Sequence, residues 1–120
     1  MTLLQLAIGT VNDIVDAPRD AGRKPGKPIP AGLVPATPAS LLAVGLFGAG
    51  LALASSVSLP LAGLGVVAFG IGLAYDLVLK GTAWSWLPFA IGIPLLPVFG
   101  WVGAAGVLPP GSVILLPTAV

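Results

Sequence analysis

The chain has 120 residues, of which 57% are hydrophobic and only 8% charged, with a formal net charge of +1 and a mean hydropathy of +1.08. An average soluble domain is roughly 25% charged, so an ordinary water-soluble domain is excluded. Disorder is excluded by the same values, because it needs few apolar residues and much charge. An integral membrane protein remains.

Cysteine and histidine are both absent, so no disulfide framework or thiolate metal site is available. Any metal must be held by oxygen ligands, which favours a hard cation such as Mg²⁺. No basic stripe with interleaved aromatics lies outside one short stretch near the start, which argues against nucleic acid as a partner. Met1 is not followed by a basic segment and a small-residue cleavage site, so no cleaved signal peptide is expected.

Taken in chain order, residues 2–11, TLLQLAIGTV, form an apolar run too short to cross a bilayer alone, and a partial span is expected over about 1–13. Residues 12–30, NDIVDAPRDAGRKPGKPIP, then hold seven of the nine charged side chains. Asp13, Asp16 and Asp20 stand at i, i+3 and i+7, which places three carboxylates within roughly 60° of one another on a helix. Pro18 is expected to loosen the turn before Asp20. Carboxylates side by side at low dielectric repel one another unless a cation neutralises them. Mg²⁺ does so while taking substrate phosphates as further ligands. Arg19, Arg23, Lys24 and Lys27 offer contacts to a polyanion.

A plainer reading makes this stretch a solvated loop that fixes membrane orientation, with Asp16 and Asp20 paired to Arg19, Arg23 and Lys24. Orientation needs only the cations, however, and a carboxylate at membrane depth costs about 2.5–3.5 kcal/mol. No charge occurs between Lys27 and Asp76. Breaks at residues 35–38 and 55–60 divide that gap into two spans, at about 38–55 and 59–80. Thr37 is expected to cap the first ahead of Pro38, and Gly81 to follow the second behind Lys80. Asp76 and Lys80, four residues apart, could form an ion pair on the helix end.

A third span is expected over about 83–106, kinked by Pro88, Pro94 and Pro97 and flanked by Trp84, Trp86 and Trp101. Residues 112–120 read as the opening of another. The positive-inside rule places both the basic loop and Lys80 in the cytoplasm. Two spans lie between them, and an even number of crossings gives the same answer independently. Glycine-rich faces at 45–50 and 63–72 suit close helix packing.

NDIVDAPRD matches the NDxxDxxxD signature of the UbiA-type intramembrane prenyltransferases, and KPGKPIPAG resembles the basic, Pro-rich loop that follows it. The segment YDLVLKGTAWSWLPFAIGIPLLP resembles the part of that family after its fourth helix. The resemblance implies an all-α, multi-pass transmembrane bundle of about nine helices around a cavity open to lipid. It also implies Mg²⁺-dependent transfer of a prenyl group from an isoprenyl diphosphate to an acceptor that is aromatic, a quinone precursor or similar. Asp13 and Asp16 would be catalytic, and Asp13, Asp16 and Asp20 would hold the metal. Asn12, Arg19, Arg23, Lys24, Lys27, Tyr75 and Lys80 would bind the diphosphate. The family spaces its Tyr and Lys as YxxxK, whereas Tyr75 and Lys80 are one residue further apart.

No acidic residue follows Asp76, so the family's second Asp-rich motif is not found. The chain is therefore expected to be a single prenyltransferase-like domain over 1–120, truncated at both ends, with about four of the family's roughly nine helices, and inactive alone. The DGxxAR pattern of the CDP-alcohol phosphotransferases does not occur. A non-enzymatic alternative is a small multi-span subunit or transporter piece with an intramembrane cation site. Transporters often carry an internal repeat, and none is visible here. The expected location is the cell membrane, with the Asp-rich loop cytoplasmic.

Overall fold

The structure is a computed structural model that describes residues 1–106. The reading of 112–120 as a further span lies outside the described residues. Four helices follow one another: α1 Thr2–Asp20, α2 Ala36–Val57, α3 Leu59–Ala74, and α4 Leu87–Ala105. A single π-helical turn, Tyr75–Leu79, continues α3 without a break. No strand occurs among the described residues.

Three helical stretches are long and apolar enough to cross a membrane: Ala36–Val57, Leu59–Leu79 and Leu87–Ala105. At 1.5 Å rise per residue each reaches about 28–33 Å, the thickness of a hydrocarbon core. Their large apolar side chains mostly face outward, as at Leu41, Leu59 and Val78. That inversion suits lipid, where exposed leucine carries no penalty and the driving force must come from packing. Helix α1 is as long as α4, but its C-terminal half carries three carboxylates and Arg19.

Local chemistry sets the boundaries. Helix α2 starts behind Pro35 in extended backbone and has no side-chain cap, so Thr37 lies inside the helix and does not cap it. The turn into α3 is governed by Ser58, whose Oγ accepts from the Leu61 N–H at 3.3 Å. Ser58 has extended backbone, and Pro60 occupies the first turn, where a missing N–H breaks no helical bond. Gly81 adopts φ 81°, a left-handed conformation that stops the helix behind Lys80. Residues 82–86, with Trp84 and Trp86, lie in turns before α4, so the helical part of the last span begins later than its hydropathy suggested. Pro88 sits in its first turn, and Pro94 and Pro97 lie within it.

Helix α1 packs chiefly on α2 and also on α3, while α3 packs on α4. Glycines make the approach close. A Cβ on Gly50 of α2 or on Gly65 of α3 would each stand 2.9 Å from a Leu4 methyl, and one on Gly72 would stand 2.8 Å from Ile8 Cδ1. Leu4 is only 1% exposed. Two apolar knobs on α1 therefore fill notches that only glycine leaves open. They fix how far along α3 the first helix lies.

Candidate functional site

Leu4, Ile8, Asn12, Asp16 and Asp20 are spaced four residues apart, so they form one i+4 ridge on α1. The ridge continues from the apolar knobs into the charged stretch. Beyond Ile8 on Gly72, Asn12 Nδ2 donates to Asp76 Oδ1 at 2.7 Å. The Lys80 ammonium donates to Asp16 Oδ2. Both pairs are 64 residues apart, as are Ile8 and Gly72. Ascending numbers on α1 meet ascending numbers on α3, so the two run parallel in one register. The basic loop and Lys80 consequently lie at the same end of the bundle.

The orientation of the Asn12 amide follows from its partner, because an ionised carboxylate can only accept. Asp76 is 5% exposed, and its second oxygen, Oδ2, is buried without a hydrogen-bond partner among the described residues. Lys80 does not pair with Asp76 four residues earlier; it reaches across to α1 and Asp16 instead.

The π turn explains this. The Lys80 N–H donates to the Tyr75 carbonyl at 2.8 Å, an i+5 bond. On a regular α-helix, residues five apart point about 140° away from one another, but a widened turn brings them round to one face. Lys80 Nζ sits 5.7 Å from the centroid of the Tyr75 ring, within cation–π range. Tyr75 in turn meets Phe89 of α4 edge-on, with centroids 5.0 Å apart. The extra residue between Tyr75 and Lys80 is absorbed as one π turn, and the two side chains still face each other.

The other two carboxylates are served by the loop after α1. Lys27 Nζ stands 2.7 Å from Asp13 Oδ1 and 3.1 Å from Asp20 Oδ2, bridging the two. Lys24 Nζ lies 3.0 Å from Asp20 Oδ1. The contact with Lys24, followed by that with Lys27, holds the Asp20 carboxyl below its ordinary value, outweighing desolvation. Asp13 and Asp20 together push the Lys27 ammonium well above its own. Helix α1 carries through Pro18 as far as Asp20, so that turn is not loosened as expected. Arg19 and Arg23 are exposed and form no ion pair among the described residues. The expected pairing of arginines with Asp16 and Asp20 is replaced throughout by lysines.

The carboxylates do not converge as a group of three, and no cluster of three or more metal-ligating side chains occurs among the described residues. Two of them, Asp13 and Asp20, do converge on one cation, the Lys27 ammonium. A pair of hard oxygen ligands that holds a cation suits Mg²⁺, which takes one or two carboxylates plus water and phosphate.

Next to this polar end, α1, α3 with its π turn, and α4 line an open cavity of about 410 Å³. Ile8, Ile71, Phe89, Ile93 and Leu96 supply much of its apolar wall, and Asn12, Tyr75 and Asp76 its polar part together with Gln5. A long apolar molecule with a polar end has a place here.

Taken together, the fold and site define a multi-pass helical membrane protein whose acidic helix end faces lysines beside an apolar cavity. The sequence profile of the UbiA prenyltransferase family matches residues 1–120. The chain belongs to that family. No curated protein matches the chain, and no solved structure does. Membership supports prenyl transfer in general as the activity.

Sequence reasoning singled out Asn12, the four aspartates and the lysines but missed the i+4 ridge that aligns them. The signal was present, since Leu4, Ile8, Asn12, Asp16 and Asp20 are evenly spaced, and so are Gly72, Asp76 and Lys80.

Proposed function

We propose that the site built on Asn12–Lys27 and Tyr75–Lys80 binds an isoprenyl diphosphate with Mg²⁺ and passes the prenyl group to an acceptor within the membrane. The observation that carries this reading is the convergence of Asp13 and Asp20 on one cation beside the Asp16–Lys80 pair, one helical turn beyond Asn12 and Asp76, which line an apolar cavity. Asp13 and Asp20, which converge on one cation, would supply the oxygen ligands, and Asp16 holds Lys80 beside them. Mg²⁺, when bound there, neutralises charge on the departing diphosphate.

The chain's own groups do the rest. Lys27 and Lys80 present ammonium groups to phosphate oxygens, and Arg19, Arg23 and Lys24 add donors from the exposed side of the loop. As the bond between the allylic carbon and diphosphate oxygen breaks, the electron pair leaves with the diphosphate. The fixed positive charge stabilises it at the moment the charge develops. The apolar wall keeps water from the allylic cation until the acceptor attacks. By the positive-inside rule the basic loop faces the cytoplasm, with the diphosphate entering from that side.

With four carboxylates in the whole chain, all of them in or beside this one site, there is no second acidic cluster to share the metal load, and turnover by the chain alone is expected to be absent. Binding is therefore the proper test. In lipid nanodiscs, geranyl diphosphate should bind with Mg²⁺ and be lost with chelator. Replacing Asp13→Asn together with Asp16→Asn should weaken it about 100-fold, two charge-assisted contacts' worth. Equal affinity in that variant would refute the site.

A further inference from the structure

We propose that Lys27 competes with the metal for its own site: the ammonium holds the Asp13–Asp20 pair, yields that place to Mg²⁺, and swings to the diphosphate that comes with it. This rests on the reading above that Asp13 and Asp20 hold Mg²⁺. It goes beyond that reading by giving the site an internal competitor that ties entry of the metal to entry of the diphosphate.

Lys27 Nζ lies 2.7 Å from Asp13 Oδ1 and 3.1 Å from Asp20 Oδ2. At those distances no metal ion fits between the ammonium and the two carboxylates, so metal and Lys27 exclude one another. Asp20 Oδ2 is buried and accepts no hydrogen bond among the described residues; Lys27 meets it by charge alone. A buried carboxylate oxygen served in that way is costly, and a hard divalent ion supplies the ligation it lacks. Lys24 sits on the other oxygen, Oδ1, and need not move. Lys27 can move, because its place is fixed by its backbone: its N–H donates to the Lys24 carbonyl at 3.2 Å, and its carbonyl accepts from the Ala31 N–H at 3.1 Å. Pro28 restricts that backbone further. The side chain beyond is a flexible four-carbon stem, 27% exposed. Mg²⁺ alone would displace the ammonium with no new partner for it. A diphosphate offers that partner, so each of the two ligands eases the binding of the other.

Two measurements on the full chain in nanodiscs, at constant ionic strength, test this. In calorimetric titration with Mg²⁺ alone, Lys27→Met should bind the ion about 10-fold tighter than the unaltered chain. Arg23→Met removes the same charge from an exposed side chain and should stay within about threefold of it. A gain of affinity cannot come from unfolding. The second measurement needs no variant: acetylation of the unaltered chain, read by mass spectrometry with Lys24 as internal reference. Lys27 should be protected at first, at least about threefold more reactive with Mg²⁺ alone, and protected again once geranyl diphosphate is added. If Lys27→Met fails to fold, this labelling decides alone. The proposal is overturned if Lys27→Met binds Mg²⁺ no tighter than Arg23→Met, or if Mg²⁺ leaves Lys27 as protected as before. Geranyl diphosphate binding on the same samples separates the two readings. Mg²⁺-dependent binding without either Lys27 effect refutes the competition alone, and tighter Mg²⁺ binding by Lys27→Met with no geranyl diphosphate binding to the unaltered chain refutes the diphosphate site alone.

Discussion

The ridge on α1 has two halves that do different work. Leu4 and Ile8 set the distance and register of α1 against α2 and α3 by filling notches that a Cβ on Gly50, Gly65 or Gly72 would close. Asn12, Asp16 and Asp20, further along the same ridge, meet an aspartate and three lysines. The apolar half depends on size, and any added methyl group disturbs it. The polar half depends on charge, which acts over a longer distance and tolerates small shifts, but only after the register has been set. In this account packing places the chemistry, and the ion pairs contribute mostly specificity.

Breaking the polar half should give the largest effect. Lys80→Met leaves Asp16 with a side chain 10% exposed and no counter-charge, and should destabilise the fold by about 3 kcal/mol, near the low end for removing one partner of a buried pair. The double variant Lys80→Met with Asp16→Leu should recover most of that loss in the same denaturant titration, while geranyl diphosphate binding stays lost. If the single variant is as stable as the parent, the pair lies in a wetter setting than its geometry indicates.

A disturbance in the apolar half should be smaller in stability and equal in function. Gly72→Leu pushes a branched side chain into Ile8 and should cost about 1–3 kcal/mol by overpacking. It should also weaken diphosphate binding, although Gly72 lies a full turn from any charge. Adding Ile8→Ala to that variant should restore both. Rescue of stability without rescue of binding would separate register from site.

The smallest effect sharpens the polar half. Asp20 titrates below its ordinary 3.8, so its pairing adds stability above that value and loses it as pH falls through the lower folded value. Lys27 is shifted the other way, so its contribution is complete below 10.5 and fades only as pH rises through its raised value. The loop should therefore hold the same stability across the neutral range. Carboxyl carbon shifts can follow this directly, because the chain has only four acidic residues. The Asp20 midpoint should lie below 3.8 and rise in Lys24→Ala, the largest contributor. A midpoint at the ordinary value would remove the loop from the site.

The sequence made much of this legible. Hydropathy marked three long apolar segments, and the carboxylate spacing put Asp13, Asp16 and Asp20 on one helix face. Their partners were harder to read. Whether Lys80 turns to Asp76 or to Asp16 depends on a π turn, which has no clear local sequence code and is favoured here by contacts with α1 and α4. The loop lysines prevailed over the arginines because Lys27 can fold back over the helix end, a consequence of the turns at 21–35 that charge counting does not see. The caps divided by chemistry: Ser58 followed the rule for a short hydroxyl side chain before a helix, while the start of α2 was set by Pro35 in extended backbone.

The central claim is that α1 and α3 run parallel with Ile8 opposite Gly72, and the absence of native cysteine allows a direct check. Ile8→Cys with Gly72→Cys brings two Cβ atoms into disulfide range, about 3.5–4.5 Å, and mild oxidation in membranes should join them in high yield. Ile8→Cys with Gly65→Cys, two turns out of register, should stay reduced under the same conditions. Efficient joining of the second pair, or of neither, would contradict the register on which the whole site is built.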